Sequence, residues 1–207
     1  MWDGVLTDLD APPYTRIVSR QDCAATDLSG RLPVQSRQGH NYILITVYKG
    51  YIKLTPQKDK SPESYVTSLS LILAFFRDIR HPFPQLILDN EKSRTVEEFL
   101  FTHHVPVQFV PPNDHRTNFS ERGMRTGKNH LIATFASTHP EFPPDLWDEL
   151  LPQAELTLNH LLPYAPDPTI SAWNGIHRFP IDFPAHPIHP PGQLVVTHDP
   201  PETRPTW

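Results

Sequence analysis

The chain has one cysteine, Cys23, among 207 residues. A lone thiol excludes an internal disulfide framework and a cysteine-based zinc site, so the fold must stand on its apolar core. Long apolar runs are missing too: none approaches the roughly 18 residues needed to span a bilayer. The first residues carry Asp3, Asp8 and Asp10 and lack the basic-then-apolar pattern of a secretory signal. A basic excess is also absent, since the formal net charge is −5. That argues against a protein that grips DNA by bulk electrostatics, which normally shows as surplus Lys and Arg. The chain reads as soluble and intracellular.

Proline, in contrast, is abundant and unevenly placed. Of 25 prolines, 14 fall in residues 1–162 and 11 in the last 45. A residue that fixes φ and lacks a backbone donor breaks up helix and sheet interiors. The expected organisation is a loose leader over 1–20, a globular unit over 21–162 and an extended arm over 163–207.

Within the globular unit the periodicity is mixed α/β. Residues 22–27 read as a strand ending at Asp27. Asn41 to Lys49 is rich in β-branched and aromatic residues and reads as a second strand, and Gly50 turns it into a third over 51–56. Ser61-Pro62 opens a helix whose apolar face is Tyr65, Leu69, Ile72, Phe76 and Ile79, and His81-Pro82 closes it. Gln85 to Asp89 is a short buried-type strand. Thr95 and Glu98 form a capping box for a short helix ending near His103-His104, and a strand follows over 105–110. A helix runs from about Asn118 to Ser137, and a further helical pattern follows Pro143-Pro144 to Leu162, broken or kinked at Pro152. Three neighbouring strands followed by alternating helices and strands predict a mixed sheet with helices packed on it.

Three carboxylates stand out by placement. Asp27 and Asp89 lie at the carboxyl ends of predicted strands, where open α/β sheets bind ligands, and Glu121 lies in the first turn of a helix. Oxygen ligands suit a hard cation such as Mg2+. Two such ions about 4 Å apart can flank a phosphodiester and serve both the attacking and the leaving oxygen. Each residue also has a structural reading: Asp27 as a turn residue, Asp89 as a strand-to-loop transition, and Glu121 as the partner of Asn118 in a capping box.

The surrounding words add weight. Thr26-Asp27-Leu28-Ser29-Gly30-Arg31-Leu32-Pro33, Leu88-Asp89-Asn90-Glu91 and the block from Pro111 to Arg122 resemble, in order, the three catalytic blocks of retrotransposon integrases. These are the DDE group of the RNase H-like superfamily. The similarity continues through Arg125 to His130, Leu146-Trp147-Asp148, Leu151 to Asn159, Ser171 to Trp173 and Pro190 to Gly192, and so covers about residues 25–207. The resemblance implies an RNase H-like fold, Asp27, Asp89 and Glu121 as metal-binding catalytic triad, two Mg2+ or Mn2+ ions, and DNA as partner of a homo-oligomer. Arg125 and Lys128 lie one and two turns beyond Glu121 on one helical face, placed to hold a DNA backbone. Arg116, Asn118 and Arg122 are expected to assist. In a eukaryotic host such a protein would work in the nucleus.

Some features depart from that pattern. Glu121 follows Asp89 by 32 positions, a shorter interval than in the retroviral branch. Glu91 stands where many relatives carry glycine. Gly123 and Gly127 interrupt a helix at about 1 kcal/mol each relative to alanine, which suggests decay of a once-mobile element. The His-His-Cys-Cys zinc module that precedes the core in these enzymes has no counterpart in residues 3–20, so the chain reads as a polyprotein fragment or a truncated reading frame. Two rival functions follow: a non-catalytic relic that binds nucleic acid or protein, and an RNase H-like nuclease that cuts without joining. His177, His186, His189 and His198 show no spacing suited to zinc. Trp147 and Trp173 read as core or docking anchors. No serine or cysteine has the setting of a nucleophile.

Overall fold

Apolar alternation and turn chemistry build the first half of the sheet. The computed structural model of the chain describes residues 23–82, 85–88, 93–109, 120–185 and 187–190, with backbone alone at Phe109, Ser120 and Glu121. Strands β1 (Cys23–Leu28), β2 (Tyr42–Tyr48) and β3 (Tyr51–Gln57) run antiparallel. The β2–β3 hairpin closes on the pair Tyr48 and Tyr51. Its two turn residues, Lys49 (φ 51°) and Gly50 (φ 88°), are both left-handed, the combination that matches strand twist in a two-residue hairpin. Strands β4 (Gln85–Leu88) and β5 (Val107–Phe109) add in parallel, giving the order β3-β2-β1-β4-β5.

Helices α1 (Pro62–Asp78), α2 (Arg94–Thr102), α3 (Ser120–Ala136) and α4 (Leu151–Leu161) cover the sheet. Ser61 caps α1 as expected, its hydroxyl accepting the Ser64 N–H at 3.2 Å. The helix ends with Arg80 in the left-handed region (φ 57°) and the His81 N–H on the Phe76 carbonyl at 2.8 Å. Helix α2 ends in the same way at His104, beside a His103 ring held against the Phe99 carbonyl at 2.8 Å. At its start the structure corrects the sequence reading. Ser93 is the cap residue, and Glu98 pairs with Arg94 one turn back at 2.7 Å instead of closing a box with Thr95. The helical pattern after Pro143-Pro144 is broken between Leu150 and Leu151, just ahead of Pro152. Pro152 occupies the first turn of α4, where proline's missing donor costs nothing, behind a 3-10 segment at Pro144–Leu150.

Two apolar clusters sandwich the sheet. Leu44, Leu69, Ile72, Phe76, Leu86 and Leu100 lie between the sheet and α1 and α2. Ile43, Ile45, Ile52, Met124, Leu131 and Leu158 lie on the α3 and α4 face. Trp147 anchors the 3-10 segment there, its indole N–H on the Val34 carbonyl at 3.0 Å.

Regular structure continues past residue 162. Residues 163–177 form a hairpin of β6 (Pro163–Tyr164) and β7 (Asp167–Ser171) followed by α5 (Ala172–His177). Ala172 and Ile176 are fully buried in the first cluster. Trp173 stacks between His160 and His177, with ring centroids 5.1 and 3.8 Å apart. Pro163, Pro166 and Pro168 did not prevent this because a two-residue strand and an exposed edge need few donors. Residues 178–182 and 187–190 carry no regular structure.

Edge strand β3 is closed from within by α4. The Asn159 side chain accepts the Ile52 N–H and donates to the Ile52 carbonyl, both at 2.8 Å. Buried Glu155 accepts from the Leu54 N–H at 3.1 Å, the Tyr51 hydroxyl at 2.7 Å and Lys53 Nζ at 2.9 Å. Burial, reinforced by that carboxylate, pushes the Tyr51 hydroxyl far above its ordinary pKa, so it remains a donor. No helix among the described residues is long and apolar enough to cross a membrane.

Candidate carboxylate site at the strand ends

Asp27 is the penultimate residue of β1, not its last, and is half-buried. It sits in the ladder opposite Ile45, which excludes the turn-residue reading. Strand alternation sets its direction. Cys23 and Ala25 pack with Ile87, and Ala25 and Asp27 pair with Val47 and Ile45, all on the α3 side. Ala24, Thr26 and Leu28 alternate to the α1 side.

Strand β4, which leads to Asp89, lies parallel against β1, with Leu88 in register with Thr26. Asp89 itself lies outside the described residues, as do Arg116 and Asn118. Glu121 is the second residue of α3, and its side chain lies outside what is described.

The position of α3 is set by Gly123, one of the two glycines that the sequence presented as signs of decay. A Cβ on Gly123 would come 2.7 Å from Val47 Cγ2, so the helix rests on β2 at a distance only glycine allows. At Gly127 the nearest atom, on Ile52, would be 3.5 Å away. The helix thus passes from β2 towards β3, and its first turn starts on the β1 side of the sheet face that Asp27 shares. Arg122 and Arg125 are exposed and Lys128 is half-buried.

Beyond the strand ends, a cavity of about 190 Å³ opens beside Asp27. Its lining includes Thr26, Asp27, Lys60 and Tyr65, so the start of α1 contributes a wall and a cation that sequence reasoning did not single out. Among the described residues, no group of three His, Cys, Asp or Glu side chains is placed to hold a metal ion. Of the three expected ligands, only the Asp27 side chain is within that set. Its carboxylate, partly open to solvent at a strand end, suits a hard divalent cation.

No protein-family model matches the chain, and no curated protein sequence does. Solved structures do. The chain superposes on the simian T-cell lymphotropic virus intasome with a TM-score of 0.60 and 18% identity, covering 86% of this chain and 60% of that one. The HTLV-2 integrase catalytic core domain, solved in complex with magnesium, gives 0.55 and 16%, covering 76% and 96%. The catalytic core domain of BIV integrase gives 0.55 and 12%, covering 76% and 95%. The chain therefore spans less than two thirds of the intasome chain and nearly all of the isolated cores. It has the α/β fold of a retroviral integrase catalytic core: a mixed five-stranded sheet flanked by helices.

Proposed function

We propose that the chain is the catalytic core of a retrotransposon integrase of the DDE group, joining DNA by metal-dependent polynucleotidyl transfer. The observation that carries this reading is topological. Asp27 lies on β1 beside the strand that leads to Asp89, facing the side of the sheet on which the α3 turn bearing Glu121 begins. The integrase-core fold supports it, and the similar HTLV-2 integrase core was solved in complex with magnesium.

In this reading Asp27, Asp89 and Glu121 hold two Mg2+ or Mn2+ ions. Bound there, the ions would activate an attacking oxygen and stabilise a leaving oxygen of a phosphodiester. The chain's own residues supply the rest. The strand ends fix the carboxylates on rigid backbone. Arg122, Arg125 and Lys128, helped by Arg116 and Asn118, hold the DNA backbone. Water attack would trim the element's 3′ end, and the freed hydroxyl would attack the target strand. Self-association and nuclear residence in a eukaryotic host belong to the same proposal.

Replacing Asp27 or Asp89 by Asn should reduce Mg2+-dependent strand cutting and joining about a hundredfold or more. Undiminished activity in either variant rejects the triad. The net charge of −5 favours a second reading, a non-catalytic nucleic-acid- or protein-binding relic. That alternative predicts DNA binding that persists when all three carboxylates are neutralised and no cutting by the parent chain. Cutting without joining of pre-cut ends would point instead to a nuclease.

A further inference from the structure

We propose that the cavity beside Asp27 is a binding site for one nucleotide of a DNA strand, with the base inside and its phosphate on Lys60. The inference rests on the polynucleotidyl-transfer reading and extends it to a second strand. In-line displacement at phosphorus brings the attacking and leaving groups in from opposite sides. A carboxylate centre that joins two DNAs therefore needs grips on both of its flanks. Helix α3 offers Arg122, Arg125 and Lys128 on one face of the sheet. The cavity lies on the other flank, where Thr26 and Leu28 turn towards α1 and Tyr65 and Val96 bring in the first turns of α1 and α2.

The chemistry of the cavity matches a nucleotide. Its volume of about 190 Å³ is below that of sites for drug-sized ligands and suits a single ring system. Tyr65, Leu44 and Val96 supply apolar lining for a base, and Lys60 is the one cation among the lining residues. Lys60 is exposed and makes no ion pair among the described residues. The adjacent Asp59 carboxylate is engaged by the Ser61 N–H at 2.8 Å and by the Ser61 hydroxyl. The Lys60 ammonium lies 5.8 Å from the Tyr42 ring centroid, within range of a cation–π attraction.

The test is a fluorescence-anisotropy titration of the 207-residue chain with a labelled duplex bearing a single-stranded end, repeated across NaCl concentrations with Mg2+ present. Lys60→Ala should flatten the slope of log K against log[salt] by about 0.9, one phosphate's worth, and Lys60→Arg should restore it. Lys58→Ala, an exposed lysine outside the cavity lining, should leave the slope unchanged. Moving an abasic position along the single-stranded end should weaken parent binding about tenfold at one position. A Lys60→Ala slope equal to the parent's, or no sensitive position, overturns the assignment. The two readings separate cleanly. A chain that cuts DNA with an unaltered Lys60→Ala slope refutes the cavity site alone, whereas Lys60-dependent binding without cutting supports the site and refutes catalysis.

Discussion

Adding one methyl group to α3 at two positions a turn apart should have opposite effects. In an open helix, Gly→Ala gains about 0.8–1 kcal/mol from propensity alone. At Gly127 the new Cβ would meet Ile52, Ile45 and Leu54 at 3.5–3.9 Å, ordinary contact, so Gly127→Ala should stabilise by nearly that amount. At Gly123 it would meet Val47 Cγ2 at 2.7 Å and Cγ1 at 3.2 Å. Val47 is β-branched with little χ1 freedom and sits in the middle of the sheet, so the helix or the strand must shift. Overpacking of this kind costs about 1–3 kcal/mol, which leaves Gly123→Ala destabilised by roughly 1 kcal/mol after the helical gain. Urea unfolding followed by circular dichroism resolves the gap between the variants. The cause is then checked by a double-mutant cycle with Val47→Ala, which should recover at least about 1 kcal/mol of coupling. Gly123→Ala should also lower strand cutting, because displacing α3 displaces Glu121. Equal stabilisation by both alanines, or a coupling near zero, would refute close packing as the reason for Gly123.

Glu155→Ala should destabilise by about 3 kcal/mol in the same urea assay, since it strands Lys53, the Tyr51 hydroxyl and the Leu54 N–H together; a loss below about 1 kcal/mol would deny the network any structural weight. The His177 imidazole is held down to about 4 from its ordinary 6.5, chiefly by burial, with Lys53 and two other histidines adding to it. The unfolded chain then binds more protons than the folded one between those values, so stability should fall as pH drops from about 6.5 towards 4 and stay flat above. His177→Phe should shrink that acid-side slope, and an unaltered slope would show that the ring is not held neutral in the fold.

Strands and helix starts were legible because they depend on local chemistry. The β-branched run of β2, the left-handed turn at Gly50 and the Ser61 cap each act within a few residues. What escaped depends on distant partners. Thr95 and Glu98 have capping-box spacing, yet Ser93 takes the cap position and Arg94 takes Glu98. The proline-rich segment after residue 162 folds because Ala172 and Ile176 find a waiting core, and proline counting cannot register that. Gly123 of α3 read as a flaw because its reason, Val47, lies 76 positions away in the chain. Of the candidate site, the strand carrying Asp27 was readable from the sequence. Lys60 was not, because nothing local links it to Asp27. Glu155 and Asn159 did leave a trace: two polar residues four apart on a helix face otherwise made of Leu151, Ala154 and Leu158.

That polar pair limits how copies of the chain could meet. A bare outer strand is an invitation to a neighbour's backbone, and runaway sheet growth is its usual hazard. By filling the N–H and carbonyl of Ile52 and the N–H of Leu54 with side chains from its own helix, the protein withdraws that invitation along β3. Any multimer built on this flank must therefore be assembled through side chains, whose fit can be selective, instead of through main-chain pairing, which accepts almost any partner.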